Sequence, residues 1–369
     1  MQVHLVDPSA FTPPYDHALC AALAQAGVSV ELITSRFAYG AAPDPDGYTR
    51  REFFYRHAIG AAGSAARRIT KLAEHVPDMR RYRRLAAAAD VVHFQWLDVQ
   101  WLDARLLPDR PTVLTAHDLL PREPRAGQAR AQRRLYDAVD AIVTHSEYGR
   151  RQLITGLGLE AEKVRVIHHG AFDHLARQRE EQPLPAELQD VEGPVVLFFG
   201  LLRPYKGIDT LLEAWRGIDG AELWIVGRPR MELDALRAHA PRGVRFHPQF
   251  VPDPQLAAFF RRADLVALPY SETERFDQSG VLATALAFGT PTVLSDVGGF
   301  REVAATGAAR LVPPRDPAAL HVALSELLHD RPGREQLAAA AEAAAAGPYS
   351  WSGAAAKTVA LYRELTSGT

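Results

Sequence analysis

Five apolar residues in a row, Val195–Phe199, stop at Gly200, and no other stretch restricts the fold as tightly. A short run without polar alternation fits a strand buried on both faces, and such strands belong to parallel sheets covered by helices. The next residues agree: a loop with Arg203, Pro204, Tyr205 and Lys206, then Gly207, then residues 208–215 with Leu211 and Leu212 on one helical face. Strand, cationic loop and helix in that order place both cations at the carboxyl end of a central strand, where α/β proteins bind ligands. Two cations there suit a diphosphate. A solvated basic turn is the plainer explanation, but the chain has four lysines against thirty-eight arginines, so Lys206 departs from its own composition.

Further strand-like runs alternate with helical stretches along the whole chain. In the first half they fall at 3–6, 28–33, 91–96, 112–118, 141–146 and 164–170, and in the second at 223–226, 244–246, 265–268, 292–294 and 309–312. This alternation specifies α/β architecture with two doubly wound sheets, and 369 residues exceed a single ordinary core. The expected domains are 1–175 and 195–348, joined by a Glu-, Gln- and Pro-rich linker at 176–194 and followed by a final helix at 349–369. No apolar run reaches membrane-spanning length, and Met1 leads straight into a strand, so a cytoplasmic protein without a signal peptide is expected. Cys20 is the one cysteine, which excludes a disulfide within the chain and points to a small core residue.

A net charge of -2 argues against general nucleic-acid binding. The charge is uneven, with 24 basic and 21 acidic side chains in residues 1–180 against 18 and 23 in the remainder, a hint of an anionic partner for the first half. The basic run 64–89 reads as two helices separated near Pro77, with Arg67, Arg68, Lys71, Arg80, Arg81, Arg83 and Arg84. A solvated face is one reading of it; peripheral contact with an anionic membrane or acceptor is the other.

The first βαβ unit lacks G-x-G-x-x-G, which disfavours a dinucleotide oxidoreductase. Its turn offers Tyr15, Asp16 and His17 at a helix start, either as a cap or toward substrate. Asp44-Pro45-Asp46 matches a short metal-binding pattern but sits among Gly, Ala and Pro with no strand to position it, so no metal site is expected. Trp96 and His117 lie at strand ends where α/β chemistry collects, and His117 is the preferred proton-handling or hydroxyl-polarising group, whereas His93, inside its strand run, reads equally as a site residue and as a satisfied core group. In the second half, Gln249, Phe250 and Val251 border an expected base pocket, and a helix from about Gly280 presents backbone N–H groups and Ser279 to a phosphate.

Together FFGLLRPYKGIDTLLEAW, ELWIVG, ATALAFGTP and SDVGGFREV resemble glycosyltransferase family 4, with the likeness strongest over 195–304. The resemblance implies GT-B architecture: two Rossmann-like doubly wound domains facing a central cleft, with the C-terminal helix returning to the first. It further implies metal-independent, retaining sugar transfer with no cofactor beyond the nucleoside-diphosphate sugar that serves as donor. By position it assigns the donor diphosphate to Arg203 and Lys206, and the reacting sugar to His117. The donor side would comprise Gly200, Gly227, Phe250, Val251, Asp277, Gln278, Ser279, Gly280, Val281 and Thr284; the acceptor side Tyr15, Asp16, His93 and Trp96. The acceptor stays open among a saccharide, a lipid-linked glycan and a small molecule, and other GT-B activities or a noncatalytic binder stay as alternatives. The sequence departs from the family at its paired glutamates, with Phe276 and Thr284 in their places and Asp277, Glu274 or Glu272 as substitutes for the first.

Overall fold

The computed structural model describes residues 1–97, 99–120, 127–178, 181–271 and 277–367. The chain forms two compact units. The first comprises Met1–His169, the closing helix Trp351–Ser367 and Asp277; the second comprises residues 170–271 and 278–350.

In the first unit, strands β1 (Gln2–Asp7), β2 (Ser29–Thr34), β3 (Thr49–Glu52), β4 (Val91–Phe94), β5 (Thr112–Thr115), β6 (Ala141–Thr144) and β7 (Val164–Val166) pair in parallel in the order β3-β2-β1-β4-β5-β6-β7. The order reverses direction beside β1, which makes a topological switch point at its carboxyl end. The second unit repeats the plan with β8 (Val195–Phe199), β9 (Glu222–Val226), β10 (Val244–His247), β11 (Leu265–Leu268), β12 (Thr292–Ser295) and β13 (Ala309–Val312), ordered β10-β9-β8-β11-β12-β13. Val195–Phe199 is central and buried along its length, as its unbroken apolar run requires.

Each unit has its own core. Phe94, Leu114, Tyr82 and Met79 meet in the first; Phe198, Trp215, Leu223 and Leu324 meet in the second. The described residues of 176–194, the expected linker, belong to the second unit; the single-turn helices Asp173–Ala176 and Ala186–Gln189 lie at its start and within it. Arg261 ties the stretch down, donating to the Ala176 carbonyl and pairing with Glu181 at 3.0 Å.

Two local features differ from the sequence reading. One helix, Ala65–Leu85, continues past Pro77 where two were expected. Proline withholds one helical hydrogen bond at a cost of about 3 kcal/mol. Both flanks are anchored, however: His75 bonds Tyr55 Oη at 2.7 Å and Asp103 at 2.5 Å, and Asp78 accepts the Tyr55 N–H at 2.8 Å. Met79 and Tyr82, fully buried, add roughly 1.5–3 kcal/mol each, enough to hold the helix together. The second difference is β3, a charged and mostly exposed edge strand that pairs with β2 through its backbone, assisted by Arg51 on Glu31 at 2.6 Å.

Candidate active site

In the first unit the strands end earlier than their sequence runs, and the polar tails become loops at the carboxyl edge. Gln95, Trp96, His117, Asp118, His145 and His169 all lie just past β4, β5, β6 or β7. Tyr15, on the helix Pro13–Gln25, is their hub, with edge-on or tilted ring contacts to His117 at 4.6 Å, His169 at 5.0 Å, Trp351 at 5.1 Å and His145 at 5.4 Å. Burial, reinforced by the Asp16 charge, drives the Tyr15 phenol upward, so it stays protonated.

His117 is held from three sides. Trp96 stacks on it at 4.8 Å and is itself fixed by its indole N–H on Thr12 at 3.0 Å. His117 Nε2 faces the Gln95 amide at 3.1 Å, and Nδ1 faces His145 Nε2 at 3.3 Å. His145 Nδ1 lies 3.0 Å from the Ile167 carbonyl, which only accepts, so that nitrogen carries the proton and Nε2 accepts. Burial pulls His145 down to about 3, so it is neutral and the His117 Nδ1–H donates to it. Gln95 and His145 were missed as partners of His117; their signal was their place immediately after a strand.

Other residues assigned to this side by sequence take quieter places. His93 is 1% exposed inside β4, with Tyr362 Oη at 2.6 Å and Thr115 Oγ1 at 2.8 Å, and burial lowers it to about 3. It is a core group with both nitrogens engaged. None of Tyr15, Asp16 or His17 caps its helix, since Thr12 is the cap position and Pro13 begins the first turn. Asp16 instead lies beside Asp7, whose carboxylate takes the N–H groups of Ser9, Phe11 and Thr12 at 3.2, 2.6 and 3.3 Å. Burial and the Asp7 charge push Asp16 well above the usual carboxylate range, so the pair holds one proton. Asp277, expected near the donor, is fully buried; it accepts the His145 N–H at 2.7 Å and the Ser146 hydroxyl, against Gly149, where an added Cβ would sit 2.7 Å away. Phe276, Glu272 and Glu274 lie outside the described residues.

The second unit gathers the cationic loop and a helix start around β8. A Cβ on Gly207 (φ 70°) would collide with the Pro269 carbonyl, and one on Gly227 (φ 134°) with that of Gly200; these positions demand glycine. The turn Pro204–Lys206 then presents Lys206, 6% exposed, with its ammonium 5.0 Å from the Tyr270 ring centre. The same ammonium is 3.1 Å, and the Val281 side chain 3.0 Å, from where a Cβ on Gly200 would stand. Gly200, Lys206, Val281 and, through a 3.2 Å bond to Tyr270, Ser279 therefore converge. Arg203 Nε is buried with no hydrogen-bond partner. The helix Gly280–Ala287 starts here; Gln278 takes the Ser279 N–H at 3.1 Å, and Thr284 donates to the Gly280 carbonyl at 2.9 Å. Phe250 is 45% exposed while Val251 is buried. Among the described residues no three His, Cys, Asp or Glu side chains are grouped to hold a metal.

Both units are Rossmann-like, and solved structures of the GT-B class share the fold. Sucrose-phosphate synthase from Thermosynechococcus elongatus covers all of both chains with a TM-score of 0.77 at 19% identity. Anabaena HepE in complex with UDP-glucose covers 98% of this chain and 100% of its own with a TM-score of 0.73 at 20% identity. The description Glycosyltransferase Family 4 matches residues 15–171, and Glycosyl transferases group 1 matches residues 193–330. A D-inositol 3-phosphate glycosyltransferase of Xylanimonas cellulosilytica is 34% identical over 314 residues, spanning 75% of this chain and 72% of that one. The chain belongs to glycosyltransferase family 4.

Proposed function

We propose that the protein is a retaining hexosyltransferase that moves a sugar from a nucleoside-diphosphate sugar to an acceptor hydroxyl. The observation that carries this reading is Arg203 Nε, a guanidinium nitrogen buried without a partner at the carboxyl edge of β8 beside the buried Lys206. A buried N–H without an acceptor is costly, and an arriving diphosphate would remove the cost. Backbone N–H groups at the start of Gly280–Ala287 would add to the same anion.

The chemistry is chiefly leaving-group stabilisation. The anomeric C–O bond breaks with its electron pair going to the diphosphate, where Arg203 and Lys206 meet the developing charge. The acceptor oxygen forms the new bond on the same face, and its proton passes to the departing phosphate oxygen; a short-lived intermediate gives the same retained configuration. His117, locked in orientation by Trp96 and His145, is the group on the first unit that orients the reacting hydroxyl or sugar. No cofactor is called for, because the charge is met by the protein's own cations. We place the protein in the cytoplasm, with peripheral membrane contact through Ala65–Leu85; among the described residues no helix is long and apolar enough to cross a membrane.

The test is turnover. Arg203→Ala and Lys206→Ala are each expected to lower kcat by about 10²–10³, the range for losing a preorganised donor, with circular dichroism unchanged. Near-wild-type turnover in either variant overturns the assignment. Mass spectrometry of a donor panel with and without acceptor extract separates transfer from donor epimerisation or hydrolysis, which needs no acceptor.

A further inference from the structure

A hollow of about 190 Å³ opens in the first unit at the carboxyl ends of β4 and β5, between the helices Gln100–Leu106 and Gln128–Ala138. Four glutamines line it, Gln95, Gln100, Gln128 and Gln132, together with His117 and Asp118; among its described lining residues there is neither lysine nor arginine. Gln95 is fully buried. One end of its amide meets His117 Nε2 at 3.1 Å, and the other end is buried without a partner. Because the His117 Nδ1–H goes to His145, its Nε2 accepts, so the amide end that meets it is the NH2 and the end left over at the wall of the hollow is the carbonyl oxygen. A leucine of similar shape would fill the place without an unsatisfied group.

Amides donate and accept at once, and so do hydroxyls. A phosphate only accepts and carries charge, so it needs cations or clustered N–H donors, and the Asp118 carboxylate would oppose it. We propose that this hollow receives the acceptor as a neutral, polyhydroxylated ring, a pyranose or cyclitol bearing no phosphate, with the Gln95 amide and His117 as the pair that meets its hydroxyls. This rests on the sugar-transfer reading for the word acceptor, but not for the binding itself. His117 suits the place: its Nδ1–H is committed to His145, so the Nε2 lone pair accepts a hydroxyl proton when the ligand displaces the Gln95 contact.

Calorimetric titration of the full chain, with and without UDP, tests it using myo-inositol and methyl α-glucoside against inositol 3-phosphate and glucose 6-phosphate. The neutral rings are expected to bind, with each phosphorylated counterpart at least about tenfold weaker. Gln95→Leu should weaken the neutral rings about tenfold while leaving the melting temperature unchanged or higher. Should that buried variant fail to fold, the half-buried Gln100→Leu should show the same loss, and Gln100→Arg should improve phosphorylated rings selectively. Tighter binding of the phosphorylated rings, no binding of either class, or neutral affinity indifferent to the glutamine variants would overturn the proposal. Binding without any sugar transfer would count against the transferase reading alone.

Discussion

Thr284 turns its hydroxyl onto its own helix, donating to the Gly280 carbonyl, and is 4% exposed. The family has a glutamate there that accepts from both ribose hydroxyls, and hydrogen bonds to a charged group contribute about 1.5–3 kcal/mol each. A threonine so placed cannot reach either. A deoxyribose offers one of those hydroxyls, so a dTDP donor loses least. Titration with dTDP, UDP, GDP and ADP should therefore rank dTDP tightest, and Thr284→Glu should improve the ribonucleotides about tenfold or more with little gain for dTDP. A wild type that clearly prefers UDP or GDP would refute this. Residue identity was thus legible at position 284, whereas residue role was not at 93 or 277. A histidine in β4 and an acid after a loop look like chemistry in sequence, yet the bonds of His93 to Tyr362 and of Asp277 to His145 join positions far apart in the chain.

The helix Ala65–Leu85 shows how three-dimensional placement sorts a charge run. Lys71 bonds Ser9 at 2.9 Å and lies over the Tyr55 ring, and Arg81 pairs with Asp78 and covers Phe53. Arg68, Arg80, Arg83 and Arg84 face outward, in company with Ile69 at 69% and Leu72 at 56% exposure. Cations and isolated apolar side chains on one solvent face fit an anionic bilayer, where each basic residue contributes about 1 kcal/mol near the surface. Vesicles rich in phosphatidylglycerol should bind the protein at low salt and release it as salt rises, and the combined Arg80, Arg83, Arg84 to alanine change should remove most of the binding. No binding to such vesicles at low ionic strength would leave the face merely solvated. The helix itself was readable from its spacing, but its continuity through Pro77 depends on Tyr55 and Asp103, which no local pattern reveals. β3 was unreadable for a related reason: its backbone pairs while its charged side chains face solvent. The apolar strands of both sheets, buried on both faces, announced themselves.

At the scale of the whole molecule, the two units carry their ionisable groups differently. His4, His17, His93 and His145, the histidines that burial pulls below their ordinary value of 6.5, all lie within Met1–His169. For His93 and His145 the folded value falls to about 3. A base depressed on folding contributes stability that is present above pH 6.5 and is lost as pH falls toward 3, because the unfolded chain takes up protons that the folded one refuses. The Asp7–Asp16 pair works the other way. Its raised values favour the folded state at low pH and withdraw that support as pH rises through them, so it offsets part of the acid loss. Four lowered histidines stand against two raised carboxyls, so below pH 6.5 the unfolded chain has the larger proton uptake. The first unit is therefore the acid-labile one. Hydrogen exchange at pH 4.5 should show peptides from β1, β4 and β5 losing protection before those from β8 and β11. His93→Gln, whose amide can still reach Tyr362 and Thr115, should flatten the stability–pH slope between pH 6.5 and 4 by about one proton. Equal slopes in wild type and variant, or earlier exchange in β8, would show that the buried histidines do not set acid stability.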